Sequence, residues 1–192
     1  MIDHARVPTR RLASGTELHR IHQARYGPWF FDRSPGGRFN PTGRSGRGTC
    51  YWATRPLGAL VESFRTVMTW SANDIALRAL STIVLEEELL VADLTLRSAL
   101  AAGVTLATSS GADYKEPQAL ADVLQGVVGG VRYRARHDLS ARLIAVAWFG
   151  DEGGATGAAL AALPPARTAL IPDRLIRAAR AFGYRVLPPP SP

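Results

Sequence analysis

Gly36-Gly37-Arg38-Phe39-Asn40-Pro41 opens a run of thirty residues that continues through Cys50-Tyr51-Trp52-Ala53 to Leu60-Val61-Glu62-Ser63-Phe64-Arg65. The order of residue types predicts a glycine-rich turn, a basic loop carrying Arg44 and Arg47, a short aromatic strand and then a helix. The strand is placed at 49–53, where Tyr51 and Trp52 fall in a short run bounded by turn residues. Thr54 suits the helix N-cap, and Pro56 suits the first turn, where a missing N–H costs nothing. Leu57, Leu60, Val61 and Phe64 recur at helical spacing and predict one buried stripe. Glu62 points away from that stripe. Its carboxylate is left to solvent, to Arg65 three residues on, or to a cleft.

The chain has 192 residues, 46% hydrophobic and 20% charged, as expected of one globular domain with a full core. Residues 1–16 lack periodicity and are expected to form a flexible lead-in to a single domain over 17–192. No window approaches the length of a membrane-spanning helix, and the N-terminus lacks a signal-peptide pattern, so a cytoplasmic protein is expected. The single cysteine, Cys50, excludes an intramolecular disulfide framework and any multi-cysteine metal site. The net charge of +7 comes from 22 arginines and one lysine, Lys115. They are scattered rather than clustered, so direct nucleic-acid binding is not expected. A basic surface still attracts an acidic protein or a polyphosphate substrate.

Further along, strands are predicted at 79–85 and 89–94, with Glu86, Glu87 and Glu88 as a hairpin connection. A short helix at 96–102 ends at Gly103, and 109–113 reads as a loop. An amphipathic helix over 114–127 carries Leu120, Val123, Leu124 and Val127. Gly129-Gly130 turns into a strand containing Tyr133, and 143–149 reads as a buried strand. Residues 150–166 form a Gly-, Ala- and Pro-rich excursion. A helix at 173–182, a strand at 184–187 and a stop at Pro188 complete the pattern. Short strands interleaved with helices predict a mixed α/β (α+β) fold. The four histidines, His4, His19, His22 and His137, are dispersed and read as structural, and no metal-ligand cluster or phosphate loop is present.

Gly-Arg-Phe-Asn-Pro, followed by Tyr51 and by Ala59-Leu60-Val61-Glu62, resembles the RES domain, a family named for its Arg, Glu and Ser residues. The likeness runs from Leu18-His19-Arg20-Ile21 to Phe149, with Phe39 where relatives carry Trp. It implies an ADP-ribosyltransferase-like mixed sheet split around a central cleft for NAD, which is the substrate; no cofactor or metal is implied. It further implies catalytic roles for Glu62, Arg38 and Tyr51, and NAD contacts from Arg20, Arg38 and Tyr51. Those residue types suit the chemistry. A carboxylate stabilises the ribose cation left when nicotinamide departs, arginine binds phosphate oxygens in pairs, and tyrosine offers a ring face. Water as acceptor makes the enzyme an NAD glycohydrolase, phosphate a phosphorylase, and a macromolecule an ADP-ribosyltransferase. Family members act as toxins of toxin–antitoxin pairs, which implies an antitoxin partner with a helix-turn-helix domain. One position departs from the pattern: Ala135 stands where the family serine belongs, which also leaves open a catalytically degenerate binding module.

Overall fold

The computed structural model describes residues 2–64, 67–136, 138, 140 and 142–187. In chain order the first elements are β1 (Thr9–Leu12), β2 (Glu17–Gln23), the two-residue β3 (Phe30–Phe31), β4 (Arg47–Ala53) and α1 (Pro56–Phe64). Then come β5 (Thr69–Ser71), α2 (Ala72–Ala76), β6 (Arg78–Val84) and β7 (Leu89–Asp93). A 3-10 turn at Arg97–Ala102 leads to α3 (Leu106–Ser110), α4 (Lys115–Leu124), β8 (Gly130–Arg134) and β9 (Ile144–Asp151). The chain continues with β10 (Gly153–Gly154), α5 (Gly157–Ala161), β11 (Arg167–Leu170), α6 (Asp173–Ala179) and β12 (Arg185–Leu187).

Eight strands form one mixed sheet in the order β1-β7-β8-β9-β4-β2-β6-β11, antiparallel except for the β7–β8 pair. The expected hairpin between β6 and β7 does not form. Instead β7 pairs with β1 and β6 with β2, making one continuous ribbon bridged by Gly15 N–H to Leu85 O and Leu85 N–H to Thr16 O. Consecutive strands of this ribbon lie far apart in the sheet order, so the sheet curls over on itself. The curl encloses an apolar cluster that gathers Leu12, Leu18, Cys50, Trp52, Ile83, Val91 and Val146 from six strands. Trp29 and Phe31 close it from the loop side. The other sheet face carries two clusters. One lies under α4 and includes Phe39, Tyr133 and Phe149; the other lies under α1 and α6 and includes Ile21, Leu60 and Leu175.

The mixed α/β architecture is as expected, and several local readings change. Within 1–16, Thr9–Leu12 is a sheet strand whose Leu12 is buried, so backbone pairing overrides its polar composition. Part of the loop expected at 109–113 belongs to α3, and β11 forms at the sheet edge with every residue exposed. Val123 and Val127 of the expected apolar stripe face outward, 42% and 70% exposed. The stop expected at Pro188 lies outside the described residues. Among the described residues, no helix is long and apolar enough to cross a membrane.

Candidate functional site

The sheet opens at one seam. β4 is paired with β9 from Arg47 to Ala53 but meets β2 only at His19 opposite Ala53. Beyond that pair the strands diverge, and a cleft of about 620 Å³ opens between them beside α1. Arg20, Tyr51 and Glu62 line it, together with Asp32, Ser63 and Arg78.

Each of these side chains is placed by local structure. On α1, Leu60, Val61 and Phe64 are buried and Glu62 lies off their stripe, half-buried toward the cleft. Its Oε2 accepts a hydrogen bond from the Tyr133 hydroxyl on β8, at 3.2 Å. Burial, followed by the nearby charge of Glu62, raises the Tyr133 phenol well above its ordinary pKa. Tyr133 therefore stays a donor across the neutral range. Tyr51 alternates with Cys50 and Trp52 along β4 and faces the opposite side of the sheet. Its hydroxyl accepts from the Phe39 N–H at 2.9 Å and donates to Asn40 Oδ1 at 2.8 Å. Asn40 is fully buried and donates in turn to Asp32 Oδ2 and Ser34 O. A Cβ on Gly37 would fall 2.3 Å from the Asn40 carboxamide, so only glycine permits this tie between loop and strand.

Arg20 enters from the other wall and donates to Cys50 Sγ at 2.9 Å and to Tyr51 O at 3.3 Å. Arg38 is placed differently from Glu62 and Tyr51. Its guanidinium is buried, lies over the Tyr114 ring at 4.5 Å, and donates to Gly111 O at 2.7 Å and Thr108 O at 3.4 Å. Burial lowers its pKa, with Tyr114, Tyr133 and Glu62 acting on it in the opposite sense. It stands near Glu62 electrostatically without lining the cleft.

A family model of the RES domain matches residues 17–168. The chain belongs to the RES domain family. Among solved structures, it is similar to a chain of the M. tuberculosis MbcT–MbcA toxin–antitoxin complex, at 19% identity and a TM-score of 0.62. That likeness covers 89% of this chain and 92% of the other. No match is found among curated proteins.

Against the RES pattern, Ala135 is 3% exposed and packs with Ala53, Ala59 and Leu143 under α1 rather than lining the cleft. Ser140, the next serine along, is held by Asp138 through its Oγ and N–H. His19 and His22 are buried and braced by β6, through Thr82 Oγ1 at 3.0 Å and Ser81 Oγ at 2.8 Å. Burial lowers both histidine pKa values, as fits structural side chains. Arg65 and His137 lie outside the described residues. Among the described residues, no three His, Cys, Asp or Glu side chains are grouped as a metal site.

Sequence reasoning did not single out Tyr133, Asn40 or Arg78 as site residues. The first two sit inside quoted motifs, where hydrogen-bonding types amid glycines and aromatics were the available clue. Arg78 is brought to the cleft by the β2–β6 pairing and has no local clue at all.

Proposed function

We propose that this RES-family chain is an NAD-consuming enzyme that breaks the nicotinamide–ribose bond and serves as the toxin of a toxin–antitoxin pair. The observation that carries the reading is the Glu62 carboxylate, half-buried on the cleft wall and oriented by the Tyr133 hydroxyl. In the reaction the C1′–N bond breaks and its electron pair leaves on the nicotinamide nitrogen, cancelling the ring's positive charge. The ribose is left with cationic character at C1′, which the fixed negative charge of Glu62 stabilises. Tyr133 keeps that carboxylate aimed. Tyr51 presents a ring whose hydroxyl is tied at both ends, so its face is fixed for nicotinamide. Arg20 supplies positive charge on the opposite wall, and Arg38 holds the C-terminal end of α3 at Thr108 and Gly111 while adding charge close to Glu62. Water attacking C1′ gives ADP-ribose and a proton; phosphate gives a 1-phosphorylated ADP-ribose. Neither acceptor needs a dedicated residue, so both arms belong in the test.

The purified protein incubated with NAD, with and without phosphate, should release nicotinamide. Glu62→Gln should lower turnover by about 10²-fold or more while leaving KM nearly unchanged, because the ground-state ribose carries no full positive charge. Equal turnover in the variant would remove Glu62 from the chemistry. The second reading, a degenerate module that binds NAD without cleaving it, draws on Ala135. It is favoured if the parent binds NAD and releases no nicotinamide. Family membership and the toxin–antitoxin complex among similar structures support an antitoxin partner, proposed to cover the cleft and to carry a helix-turn-helix part.

A further inference from the structure

The cleft does not end at α1. Gln23 and Arg78, register partners at the end of the β2–β6 pair, line the cleft on one side and a second cavity of about 490 Å³ on the other. Ala24, Arg25, Asp74 and Leu77 complete most of that second wall. Arg78 thus stands at the waist of a two-lobed site.

Its position is fixed from α1. Nη1 donates to Ser63 Oγ at 2.9 Å, and the guanidinium lies over the Phe64 ring at 4.7 Å. Ser63 and Phe64 follow Glu62 directly in the chain, so the residues that hold Arg78 also set its placement relative to the proposed catalytic carboxylate. Among the described residues Arg78 makes no ion pair. Its remaining N–H groups form a planar fork of the kind that grips phosphate oxygens in pairs. Arg38, by contrast, spends its guanidinium on two backbone carbonyls and a tyrosine ring. Beyond the waist, Leu77 is 68% exposed and offers an apolar face. Asp74 Oδ2 is used by the Ser71 N–H and hydroxyl at the start of α2, which leaves Oδ1 as an acceptor.

We infer that the second lobe receives the adenosine half of the dinucleotide, with Arg78 binding the pyrophosphate at the waist, Leu77 contacting the base and Asp74 accepting from ribose hydroxyls. The assignment rests on the NAD reading of the cleft and extends it to the part of the substrate that does not react. Interactions there are equal in ground and transition states, so losing them raises KM and leaves kcat alone.

ADP, which lacks nicotinamide, tests the lobe without requiring turnover. In calorimetry the parent should bind ADP, and Arg78→Gln and Leu77→Glu should each weaken it by about tenfold or more. With NAD as substrate, both variants should raise KM by a similar factor and keep kcat within about twofold. Leu77→Glu should leave KM for nicotinamide mononucleotide unchanged, because that substrate has no adenosine. Leu77 is exposed, so its variant reports even if Arg78→Gln loses its fold by leaving Phe64 uncovered. A parent that does not bind ADP, or variants that bind it like the parent, overturn the lobe assignment even where NAD is cleaved. If the parent releases no nicotinamide but both variants lose ADP, the lobe stands as a nucleotide site and the cleavage reading falls.

Discussion

Tyr133 and Glu62 form the hydrogen-bonded pair on which the proposed chemistry turns, and each changes what the other can do. Removing the phenol hydroxyl leaves a half-buried carboxylate one donor short. A hydrogen bond to a charged group is worth about 1.5–3 kcal/mol, and about 1.4 kcal/mol is a factor of ten. Tyr133→Phe should therefore slow nicotinamide release by about tenfold, less than Glu62→Gln, in a kcat comparison with folding checked by melting. The same variant has a pH signature. Burial first, and then the charge of Glu62, hold the Tyr133 pKa well above its usual value of 10.0. The folded chain keeps the proton where the unfolded chain gives it up. Stability is then fully present below about pH 10 and is lost as pH rises through the folded value. Tyr133→Phe should lose less thermal stability than the parent between about pH 8 and about pH 11, and Tyr184, also raised by burial, accounts for part of what remains. Identical alkaline profiles would mean that Tyr133 is not the titrating group.

At the scale of elements, β4 is held on one side by β9 along its length and touched by β3 at Gly48. A Cβ at Gly48 would fall 2.4 Å from Phe31 O, backbone that cannot swing aside. Gly48→Ala should cost about 1–3 kcal/mol in denaturant unfolding, in the range of overpacked cores. A cost below about 0.5 kcal/mol would show that β3 is free to move off β4. β4 and α1 were legible in the sequence because their apolar residues fall at strand and helix spacing and their neighbours carry turn chemistry. The elements that were not legible have physical reasons. β1 is three-quarters exposed and polar, and only its pairing with β7 marks it as a strand. β11 is exposed throughout, so it shows no alternation. The acidic triplet Glu86-Glu87-Glu88 reads as a hairpin tip locally; the partners that replace the hairpin, β1 and β2, lie more than sixty residues upstream. The site divides along the same line. Tyr51 and Glu62 come from two adjacent, well-patterned elements and meet at one cleft, whereas Arg38, in a loop, is turned toward carbonyls at 108 and 111. Tyr133 comes to Glu62, and Arg78 to the cleft, only through sheet pairing that no local pattern encodes.

For the whole molecule, the curled sheet and the open seam are two consequences of one topology. The ribbon of β1-β2 against β7-β6 must serve both ends of a single sheet, so the sheet bends, and β2 and β4 part after one pair. A seam with few cross-strand bonds is the place for local opening, while the β4–β9 and β2–β6 ladders, each paired over seven residues, hold on either side. Hydrogen exchange distinguishes this from a uniformly rigid domain. In the Glu62→Gln variant, chosen so that substrate survives the experiment, NAD should slow exchange most at residues 20–23, 49–53 and 56–64, which bound the cleft. The β1–β7 pair, at the far end of the sheet order, should show only the smaller global increase that any ligand of the native state produces by mass action. Equal slowing at both places would mean that NAD stabilises the fold without closing the seam. No slowing at 49–53 would place the nucleotide elsewhere on the molecule.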